Sequence, residues 1–135
     1  AAITASERHH RAEIRCAVEA VLSAGHLFRG VPSAVRAAEV FSALGVWDTA
    51  ENNGVLLYVL LAERKIEIVA DRGFGDRVTA TEWDGICAEM EVAFGAGRYE
   101  AGALAALDRI SAIARQHFPA LGDDRNELPD RTVLL

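Results

Sequence analysis

The stretch Gly54-Val55-Leu56-Leu57-Tyr58-Val59-Leu60-Leu61-Ala62 limits this chain more than any other, because it has the length of a strand and carries no charge at any position. A strand with one wet face alternates apolar and polar residues, so an unbroken run of this kind predicts a central strand covered on both faces. Glu63-Arg64-Lys65 then reads as a tight polar turn. Beyond it Ile66, Ile68 and Ala70 alternate with Glu67 and Val69, which completes a hairpin. Upstream, Glu13 to Glu19 places Ile14, Cys16 and Val18 on one side and mostly charged residues on the other, the pattern of a half-buried strand.

Helices fill the remaining positions. Thr4 to His10 reads as the end of one, and Gly25 to Pro32 as a loop. Ser33, following Pro32, is a candidate cap for a helix with Ala34, Ala38, Phe41 and Leu44 at helical spacing and Gly45 just past its end. Thr79-Ala80-Thr81-Glu82 fits a capping box and opens a helix with Trp83, Ile86, Cys87, Met90 and Phe94 on one stripe. A further helix from about Tyr99 carries Leu104, Leu107, Ile110, Ala114 and Phe118 inward and ends at Pro119. The order strand, helix, strand, strand, helix, helix predicts a two- or three-layer α/β domain over residues 1–119, with residues 120–135 as an extended tail. A right-handed crossover makes the first two strands parallel.

Composition narrows the function. Lys plus Arg at 14 against Asp plus Glu at 20 give a net charge of −6, which works against a grip on nucleic-acid phosphates or anionic lipid. No nucleic-acid partner is expected. The longest apolar stretch falls far short of the roughly 20 residues that span a bilayer, and no basic-then-apolar leader opens the chain. A cytoplasmic location is therefore the expectation, with export the alternative if a leader was trimmed, since the sequence does not start with Met. Cys16 and Cys87 have no C-x-x-C partner and are expected to be buried free thiols.

The predicted threading has a chemical consequence. Parallel first strands and an antiparallel return bring the start of strand one, the Asp48 to Gly54 approach and the turn Asp71-Arg72-Gly73-Phe74-Gly75-Asp76 to one rim. Hard cations such as Ca²⁺ take about six to eight oxygen ligands in flexible geometry, which suits Glu13, Asp48, Asn53 and Asp71. Asn52-Asn53-Gly54 and Gly73-x-Gly75 also tolerate positive φ. The competing reading is that Asp48 and Asn53 only bond turn backbone and that Asp71-Arg72 is a solvated pair.

Other chemistries find little support. Gly73-Phe74-Gly75-Asp76-Arg77-Val78 lacks the third glycine of a dinucleotide fingerprint and follows the wrong strand, so no nucleotide cofactor is expected. Adjacent His9 and His10 cannot share a chelating face on a helix. His26 falls in the predicted loop and His117 in a last helical turn. Trp47 and Trp83 are expected as core anchors.

Three stretches in order, Val46-Trp47-Asp48-Thr49-Ala50-Glu51-Asn52-Asn53-Gly54-Val55-Leu56-Leu57, then Lys65-Ile66-Glu67-Ile68-Val69-Ala70-Asp71-Arg72-Gly73, then Phe94-x-x-Gly97-x-Tyr99-x-x-Gly102, resemble the TPM domain family. Its founding members include a thylakoid-lumen protein tied to photosystem II repair. Ala12-Glu13-Ile14 stands where the family has Gly-Glu-Ile, and Asn126-Glu127-Leu128-Pro129-Asp130-Arg131 is similar to the ending of compact bacterial members. The resemblance implies an α/β/α sandwich with a mixed four- to five-stranded sheet, Rossmann-like in its layers without the nucleotide fingerprint. It also implies a divalent metal, Ca²⁺ or Mg²⁺, in an acidic crevice whose matching positions are Glu13, Asp48, Asn53 and Asp71. The expected function is an interaction or protein quality-control module that docks a protein partner. The alternative is a metal-dependent acid phosphatase, a hydrolase with Asp71 or Asp48 as ligand or base and Arg72 as phosphate clamp.

Overall fold

A computed structural model describes residues 12–119 and 133–135. The apolar run becomes β2 (Gly54–Leu60), buried at every position, with β1 (Glu13–Glu19) on one side and β3 (Lys65–Ala70) on the other. β1 runs parallel to β2 with Glu13 opposite Gly54, and β3 returns antiparallel with Ala70 opposite Val55. Both directions are the predicted ones. The hairpin is tight because Arg64 takes a left-handed φ of 52° while its N–H donates to the Leu61 carbonyl at 3.2 Å.

Alternation along β2 supplies two cores. Val55, Leu57 and Val59, with Ile14, Cys16 and Ile66, pack under α3 (Ala80–Gly95) and α4 (Tyr99–His117) through Ile86, Met90, Ala106 and Ile110. Leu56, Tyr58 and Leu60, with Ala17, pack under α2 (Ser33–Ala43) through Ala37 and Val40. Helices therefore lie on both faces of a mixed sheet. Burying a large apolar side chain contributes about 1.5–3 kcal/mol, so the doubly covered β2 carries a large share of the stability.

The sheet is narrower than expected. It has three strands of ordinary length plus a two-residue edge strand, β4 (Val133–Leu134), parallel to β1 at Ala17 and Val18. Four to five full strands are not formed because residues from Gly75 to His117 go into a 3-10 turn (Gly75–Arg77) and two helices. The predicted loop after β1 contains α1 (Ala24–Phe28), making four helices among the described residues, and Ser23 caps it by accepting the His26 N–H at 3.2 Å.

Helix faces were misplaced where small and large residues competed. On α2 the buried positions are Ala37 and Val40, and Ala34 and Ala38 stay exposed. Ser33 does not cap this helix; its hydroxyl donates to Glu67 Oε1 at 2.6 Å. On α4 Leu104 is exposed, whereas Ile110 and Ala114 are buried as expected and are joined by Gly102 and Ala106, whose small size allows close approach to α3. β1, expected to be half-buried, is buried on both faces, its charged side included, with Glu19 held by Arg36 of α2. Trp83 joins the core beside Phe74, edge to face at 5.7 Å, but Trp47 is largely exposed, its indole N–H donating to the Ser42 carbonyl. The Thr79–Glu82 capping box forms, and Cys16 and Cys87 are both buried and in no disulfide. The predicted helix at Thr4 to His10, with His9 and His10, lies outside the described residues, as does most of the tail.

Candidate functional site

Register alone aligns the rim. Glu13 is opposite Gly54, and the Asp71 N–H donates to the Gly54 carbonyl at 2.9 Å, so Glu13, Gly54 and Asp71 form one row across three strands. Side chains alternate faces, which puts Glu13 and Asp71 on the α2 side with Leu56 and Val69. At roughly 4.8 Å per strand spacing, their Cα atoms stand about 10 Å apart.

Two glycines hold the approaching loops against this row. A Cβ on Gly54 would run into the Val46 carbonyl, and one on Gly73 would run into the carbonyl oxygens of Glu51 and Asn52. The Gly73 N–H instead donates to Asn52 O at 2.6 Å, while Asn52 adopts φ 53°. The expected positive φ in the glycine turn is found at Gly75.

The candidate ligands separate into two groups. Glu13 and Asn53 are each 2% exposed. The Asn53 N–H donates to Thr49 Oγ1 at 3.0 Å, and its Nδ2 donates to Glu51 Oε2 at 3.3 Å, so both of these bonds reach side chains of the approach turn and not its backbone. Asp71 Oδ1 accepts the Arg72 N–H at 2.8 Å, whereas its Oδ2 is buried without a hydrogen-bond partner among the described residues. Asp48 is different: it is exposed on the approach segment, its backbone N–H bonds Gly45 O, and its carboxylate bonds no described residue. Thus the rim gathers Glu13, Asn53 and Asp71, and Asp48 stands outside that row. Among the described residues, no three His, Cys, Asp or Glu side chains form a ready metal cage.

Sequence reasoning missed the buried charges of the α2 face. Arg15, 7% exposed, is two residues from Glu13 on the same side of β1. At the far end of that face Glu19 accepts the Tyr58 hydroxyl at 2.5 Å and the Arg36 guanidinium at 2.9 and 3.0 Å. The Arg36 hydrogen bond holds the Glu19 carboxyl below its usual range against desolvation, with Tyr58 assisting. Burial, then the bond to Glu19, pushes the Tyr58 phenol well above its usual value. His26 meets Glu39 at 3.1 Å from α1. The available signal was Tyr58 itself, the one side chain with a polar atom in a doubly covered strand, which required a partner.

No functionally curated protein matches the chain. Among solved structures, the NMR structure of the BA42 protein from the psychrophilic bacterium Bizionia argentinensis is similar at TM-score 0.84 and 27% identity, covering 98% of this chain and 87% of that one. The N-terminal domain of a protein from P. gingivalis shares the fold at TM-score 0.69 and 15% identity, covering 89% and 75%. The TPM domain model matches residues 1–113, a span that holds the rim and most of both cores. The chain belongs to the TPM domain family.

Proposed function

We propose that this TPM domain is a divalent-cation-binding interaction module, in which Ca²⁺, or Mg²⁺ in its place, orders the crevice rim for a protein partner. The observation that carries the reading is the buried Oδ2 of Asp71, which has no hydrogen-bond partner among the described residues, in the row shared with Glu13. An uncompensated buried carboxylate oxygen is costly, and a cation is the partner that offsets it best. Glu13, Asn53 and Asp71 supply hard oxygen donors, with Asp48 adding charge at the outer edge, and backbone carbonyls and water complete the six to eight positions Ca²⁺ takes. Few carboxylates and the neighbouring Arg15 place affinity at the weak end, roughly 10⁻⁴–10⁻³ M. No described helix is long and apolar enough to cross a membrane, while Leu27 and Phe28 leave apolar surface on α1 that supports the interaction role.

Calcium titration followed by amide resonances tests the site. Shifts centred on Glu13, Asn53 and Asp71 to Gly73, lost in Asp71→Asn, are expected. Unchanged spectra at about 10 mM Ca²⁺, well above that affinity range, refute the cation reading.

The phosphatase reading draws on Arg72, exposed beside Asp71 and without an ion pair among the described residues. A cation at Asp71 would polarise a phosphoryl oxygen and Arg72 would hold the phosphate. Turnover of p-nitrophenyl phosphate with Mg²⁺, Mn²⁺ or Ca²⁺ that falls in both Asp71→Asn and Arg72→Ala is the required result; equal turnover in all three proteins rejects it.

A further inference from the structure

At the rim opposite Asp71, where β1 and β2 end, a cleft of about 750 Å³ opens between the sheet and the α3–α4 connection. Its interior is apolar, walled by Val18, Val59, Ile66, Met90, Phe94 and Ala103. Small-molecule sites occupy about 300–1,000 Å³ and combine such a lining with a few polar groups. Here the polar groups are cations at the mouth. Arg64, from the β2–β3 turn, and Lys65, the first residue of β3, both line the cleft and neither forms an ion pair with a described residue. Lys65 is the sole lysine of a chain whose net charge is −6, so this pair runs against the overall charge. Arg64 also holds φ 52°, a conformation that glycine or asparagine adopts more easily, so its side chain is kept at a backbone cost. One carboxylate, Glu100, lines the same cleft and leaves the mouth with a positive balance.

We infer that the cleft binds a free apolar monocarboxylate of the fatty-acid class, its tail against Met90 and Phe94 and its carboxylate at Arg64 and Lys65. The interior supplies affinity by burying methylenes, and the mouth selects the sign of the headgroup. Each methylene taken from water tightens binding about fourfold. Two solvent-facing cations add about threefold to tenfold for an anion and nothing for an alcohol. This site is separate from the Asp71 rim and is independent of any cation there.

The test titrates octanoate, decanoate and dodecanoate, below their micelle concentrations, into the 135-residue protein and follows its amide and methyl resonances. Shifts should centre on Val18, Ile66 and Met90, with affinity rising about fifteenfold for each two added carbons. Decanol should bind more weakly than decanoate, and the double variant Arg64→Gly, Lys65→Gln should weaken decanoate about threefold to tenfold and leave decanol unchanged. Arg64 lies on the exposed turn and Lys65 is the exposed first residue of β3, and the glycine relaxes the left-handed residue, so folding is retained. Ala103→Trp, which fills the cleft, should abolish binding of both. Equal binding of decanol and decanoate, or shifts centred elsewhere, overturns the inference. So does a ligand-independent, concentration-dependent shift of these resonances with a doubled mass, which would make a second copy the occupant.

Discussion

Gly73→Ala is the sharpest test of how the rim is held together. The added Cβ would lie 2.8 Å from the Asn52 carbonyl carbon and closer still to the carbonyl oxygens of Asn52 and Glu51, all backbone atoms that no rotamer change can remove. Relief requires the turn after β3 to separate from the approach to β2. That movement breaks the 2.6 Å Gly73 N–H bond to Asn52, worth about 0.5–1.5 kcal/mol net. Residual overpacking adds about 1–3 kcal/mol. The expected loss is about 2–4 kcal/mol. With an unfolding entropy near 2.1 cal/mol/K per residue over 135 residues, the melting temperature should fall by about 7–14 °C. Urea unfolding and thermal melts by circular dichroism measure it, with Gly85→Ala as control. Gly85 lies in α3 where a Cβ meets nothing within 4 Å, so alanine there should stabilise by up to about 1 kcal/mol. A Gly73→Ala protein that melts within about 2 °C of wild type, less than 1 kcal/mol on this scale, would show that the loops do not clamp each other as described.

Glu19→Ala should cost about 3–5 kcal/mol in urea unfolding, because it strands the Arg36 guanidinium and the buried Tyr58 hydroxyl. Since Arg36 lowers the folded pKa of Glu19, its contribution is present above the ordinary carboxyl range near 4.5 and is lost as pH falls through the lowered value; the variant should show a flatter acid limb. Cys87 behaves in the opposite sense. Burial first, then the charges of Glu67, Glu91 and Asp84, push its thiol up to about 12, so stability is full below the usual value near 9 and declines toward 12 by at most about 1.4 kcal/mol per pH unit. Cys87→Ala should reduce that alkaline slope in unfolding titrations between pH 8 and 11; an unchanged slope refutes the assignment. Thr79→Ala, which removes the capping hydroxyl of α3, should cost about 1 kcal/mol in the same assay.

The residues of the rim were readable as a set only through topology. Glu13, Asn53 and Asp71 are far apart in sequence, yet the parallel crossover and the tight hairpin oblige them to share one end of the sheet, and register confirms it. Asp48 was grouped with them by sequence proximity to Asn53, but the turn between them carries it to the surface. The expected inner faces of α2 and α4 hold at Phe41, Leu44, Leu107, Ile110 and Ala114 and fail at Ala34, Ala38 and Leu104, whose places toward the core go to Ala37, Val40, Gly102 and Ala106. Trp47 shows the same limit: hydrophobic character does not say whether a neighbour arrives to cover it.

By itself, then, the order of residues determined the local and directional features: an uncharged run that needs two covers, alternation that sets strand faces, a capping box that starts α3, and a helical crossover that makes β1 and β2 parallel. These follow from short-range sterics, hydrogen bonding and chirality, which neighbouring residues specify. What only the tertiary structure decided was the environment of each charge. Glu13, Arg15 and Glu19 look like the wet side of a half-buried strand, yet all three are buried, Glu19 against Arg36 of α2. Burial is a property of what lies across the sheet, and no single segment encodes its own cover.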